Sequence, residues 1–521
     1  MSVVVGIRRN MYKDSVSLMR LSSTLADRPG VREAAVVMGT EQNLDILREA
    51  KLYTSALDEV RPNDLVVALS TESESAGREA IEFALATLTE NNDGVIEAQD
   101  AATAPRTVAD AASLANFALI SVPGQYAGAE ALKALKQGLH VHLFSDNVAL
   151  EDEVVLKRFA VERDLLMMGP DAGTAIVNGV PLAFANAVRR GRVGVVAASG
   201  TGAQQVTALV HRLGSGISQA FGTGGRDLSV AVGGMMTKFA LRALLDDPQT
   251  GVVVLVSKPP AEEVATSVLD AIGTTEKPVV VCFLGADPAL ATSRGLIPAT
   301  TLEEAAVAAA SADQDRAVAL PGAGNLPLPT LQTGQRYVRG LYSGGTFCYE
   351  ALLLLRALVG EVHSNIPLDK KLKLTDVRKS VGHTCTDFGE DEFTVGRPHP
   401  MIDFRLRNER IVDEARDPET AVILLDLVLG YGSHHDPAGA IAPAIEEALQ
   451  IAREHGRPLP IVASVCGTDR DPQELDRQEE QLRALGVTVL ASNAEAALLA
   501  GRIAAEAARA TGPASAAGRN R

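Results

Sequence analysis

Two short glycine-rich stretches are the residues of this chain best suited to chemistry. They read ASGTGAQQV at 198–206 and SGGTFCYEA at 343–351, each after an apolar run and before helical spacing. Such a turn exposes backbone N–H groups, and the helix dipole adds about half a positive charge there. Glycine lets a ligand reach the backbone with no Cβ in the way. The chemistry implied is the holding of an anion, phosphate above all. The candidates are Ser199, Gly200, Thr201 and Gly202 in one turn and Ser343, Gly344, Gly345 and Thr346 in the other. Either turn alone reads equally well as a plain βα connection; two at matching places favour the anion.

Acid–base groups lie further along. His383, beside Thr384, Cys385 and Asp387, sits in the polar stretch 361–416. Arg397 and His399 in GRPHPMID could contact an anionic substrate, or the stretch is a solvated loop whose side chains cap local backbone. SHHDP (433–437) follows the strand-like VILLDLVLG. Ligands of a parallel sheet sit beyond the C-terminal strand ends, so His434 or His435 could serve as a base. A His-His-Asp run has no defined ligand spacing, and no metal is assigned. Asp436, before Pro437, is expected to cap the next helix. Arg226 in GTGGRD is a candidate for neutralising phosphate, and Lys258 at the end of VVVLVSK reads as an anion contact or a surface lysine. Cys348 reads as a nucleophile or a small buried residue; Cys282 and Cys466 read as core.

These groups need a scaffold, and a duplication supplies it. Besides the two turns, DDPQTGVVVLV (246–256) answers to RDPETAVILLD (416–426), and KPVVVCFLGAD (277–287) to RPLPIVASVCGTD (457–469). A fainter pair is TTLEEAA (300–306) and ASNAEAA (491–497). Matches in one order across the Pro- and Gly-rich stretch 321–334 predict two homologous α/β units. The expected organisation is a small N-terminal α/β domain (1–111), a strand-helix-alternating α/β domain (112–190), a first copy of the repeated unit (191–320), a linker (321–334), a second copy (335–510) and a disordered tail (511–521).

Composition narrows the function classes. The 521 residues carry 49 basic and 65 acidic side chains, a net charge of −16. That argues against a nucleic-acid or membrane-surface binder, which needs a basic face. The absence of tryptophan and 4% aromatic content leave little for stacking platforms. Four cysteines without a C-x-x-C pair indicate neither zinc ribbon nor disulfide framework. The N-terminal apolar run is too short for a signal peptide and no stretch would span a bilayer, so a cytoplasmic protein is expected.

Segments 116–310 resemble the α subunit of succinyl-CoA synthetase. MMGPDAGTAIVNG matches its M-x-G-P-N-x-x-G turn and ASGTGAQQ its S-G-T phosphate loop. Segments 335–510 resemble the ligase domain of the β subunit, with DPETAVILLDLVLGYGSHHDPAGAI at its strand and glycine turn. The one-chain fusion with an added N-terminal domain is similar to the FdrA family. The resemblance implies that 112–190 is a Rossmann-like CoA-binding-type domain and that 191–320 and 335–510 are homologous flavodoxin-like ligase-type domains. It also implies a heteromeric complex with partner subunits, and carbamoyl transfer among oxamate, carbamoyl phosphate, oxalurate and phosphate.

Two departures from the synthetase matter. Its phosphorylated histidine has no counterpart, since no His lies between His211 and His363. Its paired glutamate falls on Gln205, while the second copy keeps Glu350, a candidate catalytic group. No stretch remains for an ATP-grasp unit. The rival expectations are a ligase subunit borrowing ATP-grasp from another chain and a non-catalytic scaffold or regulator. No cofactor follows from the residues; the resemblance implies CoA or a nucleotide, although the turn SVPGQYAG lacks a full G-x-G-x-x-G.

Overall fold

A computed structural model describes residues 2–11, 13, 15–26, 28–90, 105, 107–320, 326–394 and 397–511. The expected tail from 512, residues 321–325 of the expected linker and most of 91–106 lie outside them.

The N-terminal unit holds β1 (Ser2–Arg8), α1 (Ser15–Ala26), β2 (Val31–Met38), α2 (Glu41–Glu49), β3 (Leu65–Thr71) and α3 (Glu74–Glu90). Its antiparallel sheet has the order β1-β3-β2. Central β3 is covered on both faces, Leu65, Val67 and Leu69 packing with α1 and α3 and Val66 and Ala68 with Leu47 and Leu57. That explains its uninterrupted LVVAL.

A second, small parallel sheet, β4-β5-β6, follows. It is built from α4 (Val108–Ala111), β4 (Phe117–Ile120), α5 (Gly124–Lys136), β5 (His140–Leu143), α6 (Leu150–Val161) and β6 (Met167–Met168).

The first large sheet uses β7 (Thr174–Val177), β8 (Val180–Ala183), β9 (Arg190–Ala198), β10 (Ile217–Gly222), β11 (Val252–Ser257), β12 (Val279–Phe283) and β13 (Ile297–Pro298). Its helices are α7 (Gly200–Arg212), α8 (Met235–Asp246), α9 (Glu262–Asp270), α10 (Ala289–Thr292) and α11 (Leu302–Gln314). The second contains β14 (Tyr337–Tyr342), α12 (Gly345–Val359), β15 (Val362–Ser364), β16 (His383–Asp387), α13 (Asp391–Thr394), α14 (Arg405–Arg416), β17 (Thr420–Val428), α15 (Pro437–Glu454), β18 (Ile461–Cys466), α16 (Leu475–Ala484), β19 (Thr488–Leu490) and α17 (Asn493–Thr511).

Both sheets run in one order. The first reads β13-β12-β11-β9-β10 and the second β19-β18-β17-β14-β16, each the 2-1-3-4-5 order of a flavodoxin-like fold. The antiparallel hairpin β7–β8 extends the first sheet beyond β10, so residues 174–183, before the expected boundary at 190, belong to that sheet. Short β15 extends the second sheet beyond β16.

The two sheets share one core. Val193, Val195 and Ala197 of β9 face it, while Val196 and Ala198 face the helices beneath the small parallel sheet. Val422, Leu424 and Val428 of β17 enter the same shared core, together with Val206 of α7 and Phe347 and Leu352 of α12. Alternation along buried strands therefore places α7, α11, α12 and α17 between the two sheets.

A buried ionic knot joins α6 to the first large sheet. Lys157 Nζ donates to Glu153 Oε1, Asp227 Oδ1 and the Thr223 carbonyl, each at 2.8 Å. Asp227 also takes the first-turn N–H of Thr237 in α8 at 2.8 Å. The Lys157 and Asp227 side chains are fully buried and Glu153 nearly so. Lys157→Met would leave buried Asp227 without its cation, and denaturant unfolding should show a loss of about 3–5 kcal/mol.

Candidate active site

Strands β9 and β14 each end at a turn into a helix, and the two turns touch. Ser199 Oγ and Thr346 Oγ1 share a hydrogen bond of 2.6 Å. A Cβ on Gly344 would stand 2.9 Å from Thr201 Cγ2, so glycine is required for this approach.

The turns differ in what their N–H groups meet. Ser199 caps α7, its Oγ accepting from Gly202 N at 3.0 Å. In the second turn, Ser343 N and Gly344 N donate to the Asp426 carboxylate at 2.7 and 3.0 Å, and Ser343 Oγ donates at 2.8 Å. Arg407 Nη1 also donates to Asp426 Oδ1, at 2.9 Å, from a fully buried position. Gly202, Ser343 and Gly344 thus shape the turns with N–H groups already engaged. No side chain caps α12. Its first-turn N–H groups, at Gly345 and Thr346, lie ahead of any intrahelical carbonyl and form an anion cradle, as those of Gly200 and Thr201 do at the start of α7.

Charged groups gather at this uncapped end. A Cβ on Gly345 would stand 2.5 Å from Asp387 Oδ2 and 3.5 Å from Lys258 Nζ. Asp387 is 2% exposed, and its Oδ1 accepts from Gly389 N at 2.8 Å. Burial pushes its carboxyl up to about 7 against the opposing pull of Lys258. A Cβ on Gly389 would lie 3.1 Å from both Asp387 Oδ1 and His399 Nε2. The His399 ring packs on Phe184, and burial with Arg407 nearby lowers it to about 4, so it is neutral. Asp171, in the MMGPDAGT turn, lies near enough to Lys258 and Glu390 to feel their charges. Desolvation and Asp146 raise its carboxyl to about 6.

The structure brings the two turns and His399 together and sends other candidates elsewhere. His383 begins β16, at the sheet end opposite the turns. Its Nδ1 accepts from Val338 N at 3.1 Å, and burial, Arg339 and His363 hold it down near 4. The residue of HTCTD that reaches the site is Asp387, at the C-terminal end of the strand. Glu350 faces away from the cradle: its oxygens accept from Leu302 N at 2.8 Å and Asn493 Nδ2 at 2.7 Å, tying α12 to the starts of α11 and α17. Arg226 is engaged by Glu153 at 2.9 Å and by the Val148 carbonyl at 2.8 Å. Arg397 is exposed on the turn before His399.

His434 and His435 line a separate cavity of about 340 Å³ with Asp403, Phe404, Asn408 and Asp436. Asp436 occupies the N-cap position of α15 without making the cap bond; it binds Gln478 Nε2 at 2.8 Å, while Gln478 Oε1 takes Ala438 N. Cys348 is buried and its thiol is pushed far up, opposite to what a nucleophile needs.

Lys258, one of whose two sequence readings is an anion contact, stands at the site with Asp387 and Asp426, which with Asp171 were not candidates. Asp426 had a signal in VILLDLV, a charge inside an apolar strand. Lys258 and Asp387 had only their places at strand ends.

Family models match three segments. They are a CoA-ligase model at 341–503, an "AllF, heavy metal-associated domain" model at 1–105 and a CoA-binding-domain model at 188–285. The last begins where the expected CoA-binding-type segment 112–190 ends. An uncharacterized protein, YahF of Escherichia coli (strain K12), is 44% identical over 518 residues, 96% of this chain and 98% of its own. The mitochondrial succinate–CoA ligase [ADP-forming] subunit alpha-2 of Trichomonas vaginalis is 27% identical over 180 residues, 33% of this chain and 57% of its own. Among solved structures, the apo dinucleotide-forming acetyl-coenzyme A synthetase 1 of Ca. Korarchaeum cryptofilum aligns with 78% of this chain and 86% of its own, at 16% identity and a TM-score of 0.32.

Two implied groups can be tested against the residues. Residues 1–105 contain no cysteine and no histidine, so the N-terminal domain does not offer the thiolate or imidazole donors of a heavy-metal site. A Cβ on Gly124, at the start of α5, would meet the carbonyl oxygens of Asp146 and Asn147 at 2.3 and 2.5 Å. This covered, acid-flanked turn does not fit a pyrophosphate. Among the described residues no helix is long and apolar enough to cross a membrane.

Desolvation raises Glu350 to about 7. The folded state therefore holds a proton that the unfolded state loses near 4.5, and stability falls as pH rises from about 5 to 8. Denaturation midpoints across that range should fall less steeply for Glu350→Gln, by on the order of 2 kcal/mol.

Proposed function

Because the chain belongs to the FdrA family of succinyl-CoA synthetase-like fusions, we propose that it is a ligase-type enzyme subunit working at the acyl-phosphate stage. It moves an acyl group between phosphate and an acceptor, as part of a heteromeric assembly. The observation that carries this reading is the pair of touching turns, Ser199 against Thr346, beside the uncapped start of α12. The phosphate of the acyl phosphate lies on the N–H groups of Gly345 and Thr346, with Lys258 as counter-ion. The acyl carbonyl gains charge in the transition state and is polarised by the same positive helix end. Neutral His399 and the Asp387 carboxyl flank the reacting atoms.

The matches to CoA-ligase and CoA-binding models favour the CoA thiol as acceptor. A second reading, carbamoyl transfer between phosphate and the amide nitrogen of oxamate, is favoured by the lack of any His between His211 and His363, which leaves no phosphohistidine to link ATP to the acyl group. The "AllF" label of the N-terminal match agrees with it.

The chain, alone and with its neighbouring subunits, can be supplied with acyl phosphates and CoA, and separately with oxalurate and phosphate. Acyl-CoA formation supports the ligase reading; carbamoyl phosphate formation without acyl-CoA replaces it with the second. In either case Lys258→Ala should weaken inorganic phosphate binding about 10-fold or more in a calorimetric titration, as expected for loss of a charge-assisted bond.

A further inference from the structure

An anion cradle with a carboxylate on its rim poses a physical problem. Two like charges repel unless a proton lies between them. Asp387 stands at that rim. Its Oδ1 is fixed by Gly389 N, and its Oδ2 faces the first residue of α12, where a Gly345 Cβ would be 2.5 Å away. Lys258 Nζ reaches the same point to within 3.5 Å. The charged groups acting on Asp387 are Lys258 after β11, Glu390 after β16 and Asp426 in β17, with neutral His399 across Gly389. The lysine holds an oxyanion of either charge state; only the aspartate reads its proton.

We propose that Asp387 makes the α12 cradle selective for an oxyanion that carries a proton. Ionised Asp387 accepts the P–OH of hydrogenphosphate, and it rejects sulfate, which has the same shape but no proton near neutral pH. This inference rests on the reading of that helix start as a phosphate site, and it holds whichever acceptor the acyl group meets.

The proton has a place in the reaction. When hydrogenphosphate attacks an acyl–X bond, the carbonyl carbon–X bond breaks and the carbonyl carbon–oxygen bond to phosphate forms. The products are the acyl phosphate dianion and HX. The proton on phosphate must end on X, a thiolate or an amide nitrogen. Asp387 receives it from phosphate and delivers it to X, so no outside co-reactant is needed. Burial that pushes the carboxyl up to about 7 suits a group that must hold and release a proton.

Calorimetric titration at pH 8 with inorganic phosphate and with sulfate, at matched ionic strength, tests this. The intact chain should bind phosphate at least about 10-fold more tightly than sulfate, because the unmatched acceptor excludes the latter. Asp387→Asn, which can donate to either anion, should bring the two affinities within a few-fold while circular dichroism stays native. Equal affinities in the intact chain overturn the proposal and leave the cradle standing, even if the variant fails to fold. A native variant that keeps the discrimination also overturns it. Binding of neither anion by the intact chain overturns the cradle reading and this proposal together.

Discussion

Two helices that begin at the same place present positive ends to one another, and that repulsion has to be offset. The offset is largely apolar: α7 and α12 lie inside a core that draws residues from both large sheets, with Val206, Phe347, Ala351 and Leu352 among its buried members. The Ser199–Thr346 bond then fixes the separation of the two starts. Asp426 supplies negative charge, taking two N–H groups of the second turn. First-turn N–H groups of both helices remain for an anion, and those of α12 have Lys258 and Asp387 beside them. The geometry that costs stability in the empty protein is also what favours an arriving anion.

The surrounding polar groups divide by what they already hold. Arg407 and Asp426 form a buried pair, as do Lys157 and its two carboxylates. Such pairs fix positions, because removing one partner leaves a charge in a medium that cannot solvate it. Glu350 plays a comparable part between α12, α11 and α17. Lys258 and Asp387 differ: each reaches the helix start that has no side-chain cap. Chemistry is assigned to these two because their positions face a place where a ligand changes the charge.

Much of the site was visible in residue types and little of it in residue roles. The two turns could be read from glycine and serine at strand ends, and the repeat placed them at equivalent points of two folds. Of the candidate histidines only His399 stands beside the turns, since a titratable ring in a polar stretch looks catalytic wherever its strand begins. His383 and Asp387 are four residues apart in one strand, and only the direction of β16 puts the aspartate at the ligand end. Arg226 looked like a phosphate contact until Glu153, distant in sequence, was found beside it.

The sequence by itself determined the class of fold, the duplication and the family, because these follow from local periodicity, glycine placement and the order of motifs along the chain. It could not determine which N–H groups remain open, which carboxylate faces the cradle or which histidine lies at the far end of a strand. Those depend on contacts between residues far apart along the chain, such as Ser199 with Thr346 and Gly345 with Lys258. Only the packing of two sheets around one core brings such groups within hydrogen-bond range, where electrostatics can choose among them.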